Sequence, residues 1–251
     1  MMDRVLVAWE FLTVVPLGRR ARVADDRAFG RSLAAFPLVG LALGAGLAGF
    51  SLAADRLFPH ALVVTLAVLL LAGLSGGLHL DGVADTADAC GARSREDALR
   101  IMKGSTIGTY GSLALISVLG LKIAGLLALP PRDLAPALLA MPVLGRWAQV
   151  HATVGRTYAR EQGTAKAFVE GATRGAWWAA TVTTLVIAGA VMGVAGLAAA
   201  GVVWIAVTVY VHRVTAWLGG VTGDTIGAAG EGAEVVVVLV WAAVFHLRGA
   251  A

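Results

Sequence analysis

Long stretches without a charged residue alternate with short polar connections along this chain of 251 residues, and most have the length that a bilayer asks of a helix. Ser32 to Ala54 is charge-free, Leu57 to Leu80 holds only His60 and His79 as ionisable groups, and Gly104 to Leu121 is again uncharged. Pro130-Pro131-Arg132-Asp133 reads as a tight turn, after which Leu134 to Thr153 predicts a fourth helix carrying Arg146 and Gln149. Gly175 to Val211 runs 37 residues without a charge, too long for one crossing, and Gly193, Gly196 and Gly201 mark where it folds back into a fifth and a sixth. A last segment, Val235 to Leu247, is short for a full span and is expected to be tilted, extended at its start or only partly inserted. The expected fold is all-α: a polytopic membrane bundle of about six to seven transmembrane helices, forming a single domain over 1–251 with 1–31 as a cytoplasmic arm.

Composition agrees with that pattern. Hydrophobic residues make up 58% and charged residues 14%, with a mean hydropathy of +0.80, whereas soluble domains carry roughly 25% charged residues. A net charge of +4 raises the question of nucleic acid, but the basic residues lie between apolar runs and do not build one face, so no nucleic-acid partner is expected. Their distribution reports topology instead. Arg4, Arg19, Arg20, Arg22, Arg27 and Arg31 precede the first span, and the second-third and fourth-fifth connections carry four each, against Arg56, Arg132 and Arg248 on the other side. The rich side is expected to be cytoplasmic in a bacterial inner membrane. Cys90 is the single cysteine, which excludes an intrachain disulfide, and no cleavable leader is expected at Met1.

The most informative segment is Ser75-Gly-Gly-Leu-His-Leu-Asp81-Gly-Val-Ala-Asp85-Thr-Ala-Asp88, at the cytoplasmic end of the second span. On a helix continuing that span, Asp81, Asp85 and Asp88 fall at roughly 0°, +40° and −20°, one narrow acidic stripe. Like charges so placed repel, which predicts a cation among them. Oxygen donors, with His79 roughly 160° round the helix, favour Mg²⁺ or Mn²⁺ over zinc. A second segment, Gly219-Gly-Val-Thr222-Gly223-Asp224-Thr-Ile-Gly227, is a glycine-rich turn whose backbone N–H groups can approach phosphate and whose Asp224 can join the metal. A third, Lys103-Gly-Ser105-Thr106-Ile-Gly108, opens a helix, the end that anions favour. Lys122, Arg146 and Arg213, the last beside His212, sit within apolar spans, where charges mark function or a structural ion pair. Acids that gather a divalent cation, opposed by bases that hold phosphate, suit phosphoryl transfer.

Taken together, Phe11-Leu-Thr13, Pro16, the Gly76 to Asp88 segment, Lys103, Gly108-Thr-Tyr-Gly111, Arg146, Tyr158-Ala-Arg160 and Gly223-Asp224 resemble the cobalamin synthase family, the adenosylcobinamide-GDP ribazoletransferases. The chain departs from the family's Met-Lys-Asp-Ser-Arg wording by reading Met102-Lys103-Gly104-Ser105-Thr106. The resemblance implies a Mg²⁺-dependent reaction: a hydroxyl of α-ribazole, or of its 5′-phosphate, attacks the cobinamide-proximal phosphorus of adenosylcobinamide-GDP, and GMP leaves. On that basis Asp81, Asp85 and Asp224 are expected to hold Mg²⁺, with Asp88 as the base or a further ligand. Lys103, Arg146 and Arg213 are expected to neutralise phosphate charge, and Ser105, Thr222 and Gly223 to contact it. The lipid bilayer is the other expected partner, and the oligomeric state stays open, a homo-oligomer included.

A cation-coupled transporter is the alternative from another class, because acids and bases within spans also build ion pathways. Its acids belong near mid-membrane. Here Asp81, Asp85, Asp88 and Asp224 are all expected at one face, which favours surface chemistry on a large water-soluble substrate.

Overall fold

The computed structural model describes residues 2–18 and 27–249; Arg19, Arg20 and Arg22 of the basic arm lie outside the described residues, as does the side chain of Arg248. Twelve α-helices make up the described chain: α1 (Met2–Leu12), α2 (Arg27–Ser32), α3 (Phe36–Ala54), α4 (His60–Leu74), α5 (Leu78–Ala89), α6 (Arg95–Ile101), α7 (Thr109–Leu127), α8 (Pro131–Thr153), α9 (Lys166–Glu170), α10 (Arg174–Met192), α11 (Val194–Leu218) and α12 (Gly223–Gly249). Among the described residues five segments are long and apolar enough to cross a membrane: Arg27–Ala54, α7, α10, α11 and Gly223–Leu247. The bent pair α4 and α5 makes a sixth if it counts as one span. The chain is therefore a multi-pass helical membrane protein.

Three boundaries differ from the sequence reading. The last helix is extended at its start: it begins at Gly223 and takes Glu231 and Glu234 inside it, because those acids are neutralised within the bundle. The fourth helix forms as expected, but α8 is not among the apolar spans. It is the core of the bundle, buried without a break from Met141 to Val150, so polar Arg146 and Gln149 face protein and not lipid. Gly40 and Gly44 let α3 lie directly on α8, since a Cβ at either would strike the backbone of Pro142 or Leu139. The N-terminal segment also does more than anchor topology: α1 buries Val7, Ala8 and Leu12 in the common core.

The third difference shapes the site. The second span does not continue through the aspartates; α4 stops at Leu74 and α5 leaves it at 88°. Gly76 and Gly77 both take positive φ, 61° and 71°, which L side chains adopt only at a cost. The Gly77 N–H closes the turn onto the Ala72 carbonyl at 2.9 Å. So redirected, α5 runs across the end of the bundle, against the starts of α7 and α12. A Cβ at Gly82 would lie 2.5 Å from the Asp224 carbonyl oxygen, so α5 and α12 meet at backbone distance. We expect Gly82→Val to destabilise the protein by about 1–3 kcal/mol, seen as a lower unfolding temperature in detergent together with lost activity. An unchanged unfolding temperature would show that this crossing is not tight.

Candidate active site

Asp81, Asp85 and Asp88 share α5 as the spacing predicts, but their surroundings separate them. Asp81 is exposed and Asp85 half-buried. Burial first, then the neighbouring carboxylates of Asp81 and Asp224, push the Asp85 carboxyl up to about 7, while Arg160 opposes the rise. Desolvation leads, and like charges without enough counter-charge add to it. Asp88 is placed differently. Its two oxygens accept the Gly108 N–H at 2.7 Å and the Gly111 N–H at 2.8 Å, so it caps the start of α7 from a distant part of the chain. The absence of side chains at Gly108 and Gly111 is what lets the carboxylate in.

Asp224 enters from α12. The preceding turn is held by Thr222, whose hydroxyl accepts the Thr225 N–H at 3.2 Å while Thr225 Oγ1 accepts the Thr222 N–H at 2.9 Å. Thr222 is buried and engaged in this cap, so the expectation that it contacts phosphate finds no free hydroxyl there. The same turn is clamped to the connection after α8. The Ala159 N–H donates to the Val221 carbonyl and the Val221 N–H to the Thr157 carbonyl, each at 2.9 Å. This short parallel bridge carries Arg160 to Asp224, Nη2 to Oδ2 at 2.6 Å. The pattern Tyr158-Ala-Arg160 marks Arg160 in the sequence as part of the resemblance, but does not disclose its partner Asp224. Burial pushes the Tyr158 phenol up as well.

Two hollows flank α5. One is lined by Gly76, Gly77, Asp81, Asp85, Ser105 and Thr106, which brings Ser105 to the acidic face. The other has His79, Asp81, Gln149, Gly223 and Asp224 in its wall. Asp81 belongs to both.

The remaining bases do not converge here. Lys103 is exposed beside the first hollow but does not line it. Arg213 is exposed on α11, whose inward face is Val207, Val211, Val214 and Leu218, and it lines neither hollow. Arg146 is 1% exposed and pairs with Glu234 at 2.9 Å, and Lys122 pairs with Glu231 at 2.5 Å and Glu234 at 2.6 Å. Both cations thus serve a buried four-charge network joining α7, α8 and α12, the structural alternative for charges within spans. Glu231 and Glu234 were missed because they lie outside the charge-free runs used to find helices.

Among the described residues no three His, Cys, Asp or Glu side chains converge closely enough to enclose a metal ion by themselves. Mg²⁺ rarely asks for that: it commonly takes one or two carboxylates and fills its octahedron with water and substrate phosphate. The donor set at this face, carboxylates with hydroxyl-bearing Ser105 nearby, fits such an ion.

Residues 4–242 match the family described as cobalamin-5-phosphate synthase. A protein of Herpetosiphon aurantiacus named adenosylcobinamide-GDP ribazoletransferase is 40% identical over 248 residues, covering 98% of this chain and 98% of that one. Proteins of the same name from Roseiflexus sp. and Geotalea daltonii are 40% identical over 91% of this chain and 85% of the relative, and 35% identical over 97% and 98%. No solved structure matches the chain. With an aspartate-bearing helix laid across the end of a membrane bundle and relatives matched along nearly their whole length, the chain belongs to the cobalamin-5-phosphate synthase family.

Proposed function

We propose that this protein is an adenosylcobinamide-GDP ribazoletransferase, joining the cobinamide phosphate group to α-ribazole or its 5′-phosphate and releasing GMP at the cytoplasmic face of a bacterial inner membrane. The observation that carries the reading is the juxtaposition of Asp81 and Asp85 on α5 with Asp224 at the start of α12, beside Arg160 and bordered by two hollows that share Asp81. Two hollows meeting at one carboxylate suit a reaction that joins two substrates.

Asp85 and Asp224 would hold Mg²⁺, water and substrate phosphate completing its shell. When bound, the ion supplies charge neutralisation to the diphosphate oxygens, the main demand of phosphoryl transfer. Arg160, now paired with Asp224, is the cation nearest that position and is assigned to a phosphate oxygen of the donor. Ser105 contacts the donor from the first hollow. Asp81, exposed and bordering both hollows, takes the proton of the attacking hydroxyl; Asp88, with both oxygens committed to backbone N–H groups, is the poorer base.

The test supplies purified protein with adenosylcobinamide-GDP, α-ribazole and Mg²⁺. GMP and a complete corrinoid are expected in equal amounts, and both should disappear when the divalent cation is chelated. Neither product from folded protein, with ion movement in vesicles instead, would support the transporter reading. The four buried charges of α7, α8 and α12 disfavour that reading, being paired with one another and closed to water.

A further inference from the structure

A third hollow, of about 670 Å³, lies where the chain leaves α8 and turns back into α10, and it shares no residue with the two beside α5. His151, Arg156, Arg174, Trp177 and Trp178 line it, and no acidic residue does. Of the four basic residues of this connection, Arg160 pairs with Asp224 and Lys166 with Glu170. Arg156 and Arg174 are left without a carboxylate partner among the described residues, and the buried Nε of Arg156 has no acceptor in the protein. Unpaired buried donors are uncommon, because each forfeits its bonds to water. The remaining polar group in the wall is neutral. Trp177 Nε1 donates to His151 Nδ1 at 3.0 Å. The Thr208 hydroxyl donates to the Trp204 carbonyl at 2.7 Å, so at 2.9 Å its oxygen accepts the His151 Nε2 proton. The same bonds fix the Trp177 ring, on which Trp178 packs edge-on with centroids 4.7 Å apart. The hollow is thus a cationic place with firm aromatic walls and nothing in the protein to neutralise it.

We propose that this hollow binds the headgroup of an anionic phospholipid of the phosphatidylglycerol type, its phosphate held by Arg156 and Arg174 and its glycerol and upper acyl carbons lying against the two tryptophans. Guanidinium groups meet phosphate oxygens through paired N–H bonds. Two of them exceed the charge of one phosphodiester, which favours a net-negative headgroup over a zwitterionic one whose ammonium would stand near the arginines. Location selects a lipid over a soluble phosphate. Arg174 opens α10, one of the membrane-crossing segments, so the hollow stands at the level where that helix enters the bilayer. Trp178, on the next turn, is 60% exposed, the placement of an indole at the headgroup boundary. Basic pockets between helices at this level are where anionic headgroups dock. The headgroup would also brace the support of the candidate active site. Arg156 directly precedes Thr157, whose carbonyl accepts the Val221 N–H at 2.9 Å in the bridge that carries Arg160 to Asp224.

The test reads the unfolding temperature of the detergent-purified protein, which rises when a ligand binds the folded state. Dioctanoyl-phosphatidylglycerol is expected to raise it by about 3 °C or more, and dioctanoyl-phosphatidylcholine by less than about 1 °C. The double variant Arg156→Gln with Arg174→Gln should unfold near the wild-type temperature without lipid, because neither side chain has an ion pair to lose, and should not respond to phosphatidylglycerol. Arg174→Gln alone, at an exposed position, should at least halve the rise and keeps the test decisive if the double variant does not fold. An equal rise with phosphatidylcholine would show general solvation by lipid, and an equal rise with inorganic phosphate at the same concentration would make the site that of a soluble anion. A double variant that still responds would put the lipid elsewhere. Each of these results, like a wild-type protein that does not respond, would overturn the assignment. The measurement does not depend on GMP release, so this site and the transferase reading stand or fall separately.

Discussion

Asp85→Asn is expected to cut turnover on the order of a hundredfold or more, while the protein inserts into the membrane and migrates in detergent as the wild type does. Asparagine keeps the size of the side chain and removes only its charge. Asp85 accepts no hydrogen bond in the described structure on which the fold depends, and relieving its repulsion with Asp81 and Asp224 should not weaken the apo-protein. What it loses is a donor for Mg²⁺. GMP release over a range of Mg²⁺ concentrations measures this, and near-normal turnover at ordinary Mg²⁺ would reject the metal role. Asp88→Asn is the informative contrast. Its amide oxygen can still accept one of the two N–H groups at the start of α7, so its loss should be smaller and accompanied by a modest fall in stability, the ~1 kcal/mol of a weakened helix cap.

That contrast shows what a linear sequence discloses about such a site. The register of the three aspartates was legible, because helical phase follows from spacing alone and α5 is a regular helix. The different fates of its members were not, since Asp88 is claimed by Gly108 and Gly111 and Asp224 by Arg160, partners brought together only by the fold. The 88° turn before α5 was half visible: two adjacent glycines are a breaker signal, yet apolar residues on both sides suggested one straight span. Arg213 illustrates a readable fact passed over. The inward stripe Val207, Val211, Val214 and Leu218 repeats at three and four residues, and that stripe alone puts Arg213 on the other face. The motif marked Arg160 but not its partner, because the pairing with Asp224 depends on a bridge between two connections that sequence cannot align.

Charge-free runs fail as a guide wherever a membrane protein neutralises charges inside itself, and the network around Glu234 is where this has the largest consequence for stability. Glu234 is wholly buried and answers two cations, Arg146 at 2.9 Å and Lys122 at 2.6 Å. Glu234→Leu would leave Arg146 buried without an acid, a change that costs about 3–5 kcal/mol, enough to exhaust much of a typical protein's stability. We expect poor accumulation in the membrane and aggregation on detergent extraction. Removing both partners should undo the damage. In the double variant Arg146→Met with Glu234→Leu, Lys122 retains Glu231 at 2.5 Å, and the vacated pair becomes apolar contact between α8 and α12. Size-exclusion profiles and unfolding temperatures of the single and double variants measure the rescue. A double variant as unstable as the single one would mean that the pair does more than balance charge. The double variant also separates two roles for Arg146. If the guanidinium only balances Glu234, the rescued protein releases GMP at a rate near that of the wild type. If it also meets phosphate, as its place in a span first suggested, the rescued protein folds and stays inactive. Its position in the centre of α8, closed off by Glu234 and 1% exposed, leads us to expect the active, refolded outcome.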